Sequence, residues 1–192
     1  MTGITGAEAP TRPTPLRVLV PFGIGAAVSV LLGVYAKTHD PTGDRVIELF
    51  FSGQIQLKVW FATVAFALAV FQLFSGMRLY GTLKVPKRIP SWFGQAHRLS
   101  GTLALAFTLP VGYHCLWSIG YLDLDGRQVL HSIFGCIFYG AFVAKVIVVR
   151  DHRLPGWALP FVGSLIFTCL VVLFLTSSLW WFTDGRGAAK LF

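Results

Sequence analysis

Charge is scarce in this chain. Only 12% of its 192 residues are Asp, Glu, Lys or Arg, while 55% are hydrophobic. That balance excludes an ordinary soluble domain, and a mean hydropathy of +0.68 puts the chain in the membrane class. Acidic residues are scarcest: Asp and Glu together number eight, and none sits in the middle of an apolar run. A transporter normally marks its ion path with intramembrane carboxylates, so transport is a third-rank reading. Cysteine is nearly absent too. Cys115, Cys136 and Cys169 are scattered through apolar runs, with no CxxC and no disulfide framework, and read as small core residues. There is no P-loop, no Ser/His/Asp set and no HExxH zinc motif, so soluble-type hydrolase chemistry is not expected. The net charge of +8 comes without an aromatic-and-basic pattern outside the apolar runs. It excludes nucleic acid as a partner and points to anionic lipid.

What the chain has is long apolar runs. A membrane-crossing helix needs about 20 such residues. The runs predict helices at about Val18–Tyr35, Lys58–Tyr80, Gly94–Ile119, Gln128–Val149 and Trp157–Phe182. The expected fold is all-α, an integral membrane bundle of five transmembrane helices. It forms one domain over 16–183, between a flexible arm at 1–15 and a short tail at 184–192. Arg12 and Arg17 ahead of the first run imitate a secretory signal. The run is too long for one and lacks a small-residue cleavage site, so a retained helix is expected.

The connections carry their own signals. Val46–Phe51 reads as a short amphipathic piece lying at the interface. Pro86 and Pro90 break the basic stretch holding Lys84, Lys87 and Arg88, through which no helix can run. Asp123, Asp125 and Gly126 make a tight turn that sets the third and fourth helices side by side and antiparallel. Trp180 and Trp181 read as interfacial anchors. Ten Lys and Arg fall on the side of the N-terminus and six on the other. This predicts a plasma-membrane protein with its N-terminus cytoplasmic and its C-terminus outside.

Histidines inside membrane segments are costly and point to function. His97 and His114 lie near the two ends of the third helix. His131 lies near the start of the fourth, and His152 just past its end. His39, in a polar turn beside Asp40 and Pro41, reads as a loop residue. The five-helix layout sorts the rest by depth into two facing pairs, His114 with His131 and His97 with His152. Such pairs suit haem b, which takes one imidazole on each face of its iron. One haem is expected at His114 and His131; His97 and His152 are the candidate ligands of a second. Arg98 is placed to meet a propionate. Gly101 and Gly135, each one turn after a histidine, leave room for a flat plate, as do Gly94, Ala104 and Gly112. Close helix packing through small residues is the competing account of these glycines. Phase is less favourable, since 17 residues leave His97 and His114 about 100° apart on an ideal helix. Pro110 lies one turn before His114 and can re-aim it.

At AHRLSG and the paired histidines the chain resembles haem-b membrane electron carriers of the cytochrome b561 and ferric-reductase-like kind. Those families space same-helix histidines more closely, or put one on each of four helices. The phrases LPVGYHCLWSIGY and AHRLSG are also similar to an uncharacterised actinobacterial family of small multi-pass membrane proteins. That second resemblance implies the membrane location and the five-helix layout, and no activity.

The function these readings predict is haem-b electron transfer in the membrane, possessed by the protein alone or as a subunit of a membrane oxidoreductase. Electrons would pass from a quinol or an inner-face reductant to an outer acceptor. The expected partners are the lipid bilayer, a quinone and a redox protein. If His152 is not a ligand, His97 and Arg98 line a quinone-head pocket instead. The alternative is a non-catalytic scaffold or assembly subunit, its histidines serving as buried hydrogen-bonding links between helices.

Overall fold

The computed structural model describes residues 14–43, 47–121 and 125–183. It has five helices long and apolar enough to cross a membrane, and no strand among the described residues. Helix α1 spans Pro15–Thr38 and α2 spans Gln54–Leu79. Helix α3 spans Phe93–Tyr113 and continues as a π-helical turn over His114–Ile119. Helix α4 spans Gly126–Arg150. Helix α5 spans Ala158–Phe174, with a second π-helical turn at Leu175–Leu179 and a last α turn at Trp180–Thr183.

Local chemistry sets these ends. Pro15 opens α1, where its missing N–H costs nothing; the arm expected at 1–15 otherwise lies, but for Thr14, outside the described residues. Asp125 caps α4 by accepting from the Gln128 N–H at 2.7 Å, a contact worth about 1 kcal/mol. The residues described between Ile47 and Gly53 form turns and bends rather than a helix, so the interfacial piece expected at Val46–Phe51 is corrected. Leu49 there takes a positive φ of 51°, a backbone state closed to a continuing helix. Val46, Asp123 and the tail at 184–192 lie outside the described residues.

The helices close a ring in the order α1, α4, α5, α2, α3, and the π turn after α3 meets α1 again. The two ends of the bundle are called here the N-side, where α1 begins, and the C-side, where α1 ends. A packed core fills the N-side half. Phe138, Ala141, Ala144 and Val148 of α4 meet Ala158, Val162, Ile166 and Leu170 of α5. The α1–α4 seam is closer still. A Cβ on Gly25 would come within 2.6 Å of the Gly140 carbonyl, and one on Gly140 would overlap Ser29 and the Gly25 carbonyl. Small residues let the two backbones touch, which is how helices associate where lipid removes the hydrophobic driving force.

Helices α3 and α4 differ from the expectation of close neighbours. Helix α3 packs on α2, while α4 packs on α1 and α5. A side chain and a cavity stand between α3 and α4. The outward faces of the helices are apolar: Leu16, Val30 and Leu31 of α1, Phe74 of α2, Leu109 of α3 and Phe161 of α5 are each more than half exposed, and Leu130 and Val149 of α4 nearly so. In a bilayer they meet acyl chains.

Candidate functional site

A cavity of about 240 Å³ lies in the C-side half, bounded by α2, α3, α4 and α5. Its walls are mostly apolar, with Val111, Leu116, Leu170 and Leu173 among them, while Lys58, Arg127, His131 and Thr176 bring polar atoms to it. Both π turns contribute, through Cys115, Leu116 and Ile119 on one side and Thr176 and Ser177 on the other. A π turn shifts the backbone bonding by one residue and recurs at functional sites. Here one consequence is visible. The Thr176 carbonyl accepts from the Arg127 guanidinium at 2.8 Å, which fixes that side chain while Trp180 stacks on it at 4.0 Å. Asp125 lies 3.7 Å from the same guanidinium.

His131 has a defined tautomer. Its Nδ1 lies 3.0 Å from the Thr176 hydroxyl. That hydroxyl already donates to the Val172 carbonyl at 2.7 Å, so it can only accept from the ring. His131 therefore carries its proton on Nδ1 and keeps a lone pair on Nε2. Lys58 reaches the same cavity from α2 and forms no hydrogen bond or ion pair with any described residue. A cation inside a membrane bundle that pairs with no described residue calls for an acceptor.

His114 is used differently. It is wholly buried, and its Nε2 accepts the backbone N–H of Ile47 at 2.9 Å. Its ring is turned to the α1–α2 connection, and it does not line the cavity that His131 lines. The nitrogen that would bind iron is thereby occupied by a proton donor. The structure does not bring His114 and His131 to one cavity. The re-aiming expected downstream of Pro110 does occur, as the π turn at His114, and it serves the connection.

The N-side pair is not brought together either. His152 is exposed in the turn after α4. His97 is half-buried and gives its Nδ1 to the Ser75 hydroxyl at 2.6 Å, which itself donates to the Phe71 carbonyl at 2.6 Å. By the same reasoning His97 keeps a lone pair on Nε2. The charge that bears on it is Lys145 of α4, not His152. Gln72 ties the same corner together, donating to the His97 carbonyl and to Ser100.

The small residues divide. Gly101 is covered by Gln72, whose Oε1 lies 2.9 Å from the place a Cβ would take. Gly112 is covered by the Tyr139 hydroxyl, and Gly94 has nothing within 4 Å. Gly135 alone of the two site glycines lines the cavity. Arg98 is exposed and stands at the N-side, away from it. His39 stacks on Tyr35 at 4.9 Å and meets the tilted ring of Trp117 at 4.8 Å, a structural use in keeping with its loop reading.

Among the described residues no group of three or more His, Cys, Asp or Glu could hold a metal ion. For haem, the donor chemistry of His131 is suitable, since metal-bound histidines usually donate their other N–H to an acceptor. The second axial ligand is missing, since no other described histidine lines this cavity.

Residues 18–188 match the model of a family of unknown function, DUF6529. The chain belongs to that family. No curated protein and no solved structure matches it. The features that the sequence reading missed in this DUF6529 chain are Lys58, Arg127, Thr176 and Tyr139. Two of them had a signal. Lys58 interrupts the polar-to-apolar entry of α2, and Thr176–Ser177–Ser178 is a polar run inside the most apolar helix.

Proposed function

We propose that this protein is a membrane redox subunit that binds the ring of a quinone or quinol in the α3–α4 cavity. The observation that carries this reading is His131, held by Thr176 with a lone pair on Nε2, facing a cavity that Lys58 also lines. A quinone offers two ring oxygens. Lys58 donates to one of them, and His131 accepts from the hydroxyl of the quinol. The apolar walls take the ring faces, and the ligand's chain leaves toward lipid. Oxidation of a quinol releases two electrons and two protons. His131 Nε2 takes one proton, the other passes to water, and a redox protein partner takes both electrons.

The size of the cavity supports a small head. At about 240 Å³ it lies below the ~300–1,000 Å³ that encloses whole drug-sized ligands. Its polar groups are all cationic or neutral donors and acceptors, which suits carbonyl and hydroxyl oxygens rather than a cation.

Haem b remains the second reading, on one observation: His97 and His131 each donate Nδ1–H to a hydroxyl on a neighbouring helix and keep Nε2 available. One preparation tests both. The purified full-length protein, in lipid nanodiscs, is titrated with duroquinone while tryptophan fluorescence is followed. Saturable quenching is expected, weakened at least about tenfold in Lys58→Met or His131→Gln, as befits loss of one charge-assisted hydrogen bond. No saturable quenching in the wild type sinks the quinone reading. A b-type Soret band in the oxidised and dithionite-reduced spectra, absent from His131→Gln, replaces it with haem.

A further inference from the structure

The gap between α3 and α4 is filled at one level and empty at the next. Tyr139 crosses it. Its hydroxyl donates to the Thr108 carbonyl of α3 at 2.7 Å. The same hydroxyl lies against Gly112, at the spot where any other residue would carry its Cβ. Gly112 is thus a socket, and Tyr139 the side chain seated in it. Toward the C-side of that contact lies the cavity, which Tyr139, Thr108 and Gly112 all line. Toward the N-side lie His97 and Lys145.

From this placement we infer that Tyr139 is the specificity-determining residue of the cavity, the floor that limits it to a single-ring quinone. The inference rests on the quinone reading above and adds the ligand's size class. Three features combine. The side chain of Tyr139 lines the cavity at its N-side end, where it stands in the way of a longer ligand. The hydroxyl bond to Thr108 and the Gly112 socket, both on α3, hold the hydroxyl end of that side chain, so it cannot swing aside without losing the bond. The backbones of the helices flanking it stand apart, so removing the ring lengthens the cavity along the gap instead of letting α3 and α4 collapse at once. Rejection by a built wall is stronger than rejection by missing contacts.

The test compares duroquinone, with one ring, and menadione, with two fused rings. Each is titrated into the full chain in nanodiscs, as wild type, Tyr139→Phe and Tyr139→Ala. The wild type should bind duroquinone about tenfold or more tighter than menadione, a discrimination typical of a small steric difference in an apolar pocket. Tyr139→Ala should bring the ratio close to one by gaining menadione affinity. Tyr139→Phe, which keeps the ring, should leave most of the discrimination. If Tyr139→Ala does not yield folded protein, Tyr139→Leu carries the same comparison with the volume partly kept. A ratio that does not move in the folded variant, with both quinones binding the wild type, overturns the role of Tyr139 and leaves the quinone reading standing. Menadione binding the wild type as tightly as duroquinone overturns the size limit. Neither quinone binding the wild type overturns both proposals together.

Discussion

Helix α4 has two faces that solve opposite problems. Toward α1 it is in backbone contact, with Gly25 and Gly140 crossing so closely that no Cβ fits. Toward α3 it stands off, bridged by Tyr139 and hollow beyond it. Both faces use glycine. Gly140 removes a side chain so that another backbone can arrive; Gly135 and Gly112 remove one so that space, or a tyrosine hydroxyl, can be kept. Counting small residues along a membrane helix therefore does not distinguish a seam from a site. What distinguishes them is what the missing Cβ would have touched.

The sharpest way to break that comparison is to add the Cβ on each face. Gly140→Ala drives a methyl into Ser29 and the Gly25 carbonyl. Backbone cannot yield as a side-chain tip can, so the cost should reach or exceed the ~1–3 kcal/mol of ordinary overpacking. Gly135→Ala meets only Leu173 Cδ2, at 3.8 Å, an ordinary contact. It should leave thermal stability in detergent nearly unchanged while weakening duroquinone binding by crowding the cavity. Equal melting losses in the two variants would mean that the two faces are not different in kind.

A second loss, of about 1–3 kcal/mol, is expected for His114→Phe. The ring's bulk is kept, but the Ile47 N–H loses its acceptor at a part-buried position, and a stranded donor costs that much. The readout is thermal unfolding together with hydrogen exchange at Ile47. The assignment of His114 to structure also requires that quinone affinity in this variant stay within a few fold of wild type. A loss as large as that of His131→Gln would return His114 to the site.

Much of this architecture was legible in the sequence, because five apolar runs between proline and charged breaks leave few other folds. The helix bounds differ from expectation by only a few residues. The site was less legible, for two physical reasons. First, histidine depth was readable but histidine direction was not. His97 and His114 sit about 100° apart on α3, and the phase correctly argued that they do not share a face. Where each of them turned depended on groups elsewhere, the Ser75 hydroxyl for His97 and the Ile47 N–H for His114. Second, α2 and α5 supply Lys58 and Thr176 from opposite ends of the chain. No local spacing links them to His131; only closure of the ring does.

Tyr139→Phe should cost about 1 kcal/mol, the typical net worth of one hydrogen bond, since it is the tie between α3 and α4 through Thr108. The expected outcome is a small fall in melting temperature, well below that of Gly140→Ala. A loss as large as the seam's would make the α3–α4 face a second structural interface rather than the edge of a cavity.

The smallest effect belongs to the rim of the tight seam. Arg17 of α1 meets Asp151, just past α4, at 2.7 Å, with a second bond at 3.0 Å. The hydrogen bond from Arg17, and after it the Arg153 backbone N–H, hold the Asp151 carboxyl below its ordinary value. A carboxylate depressed by folding adds stability that is present above its unfolded pKa, about 4, and disappears as pH falls through the folded value. Both partners are partly exposed, and solvent screening keeps the contribution small. Asp151→Asn should therefore lower the melting temperature slightly at neutral pH and not at all once the pH is well below 4. A difference that persists undiminished in acid would mean that Asp151 holds the seam by its shape and its bond to Arg153, and that charge between α1 and α4 contributes nothing to the contact their glycines make.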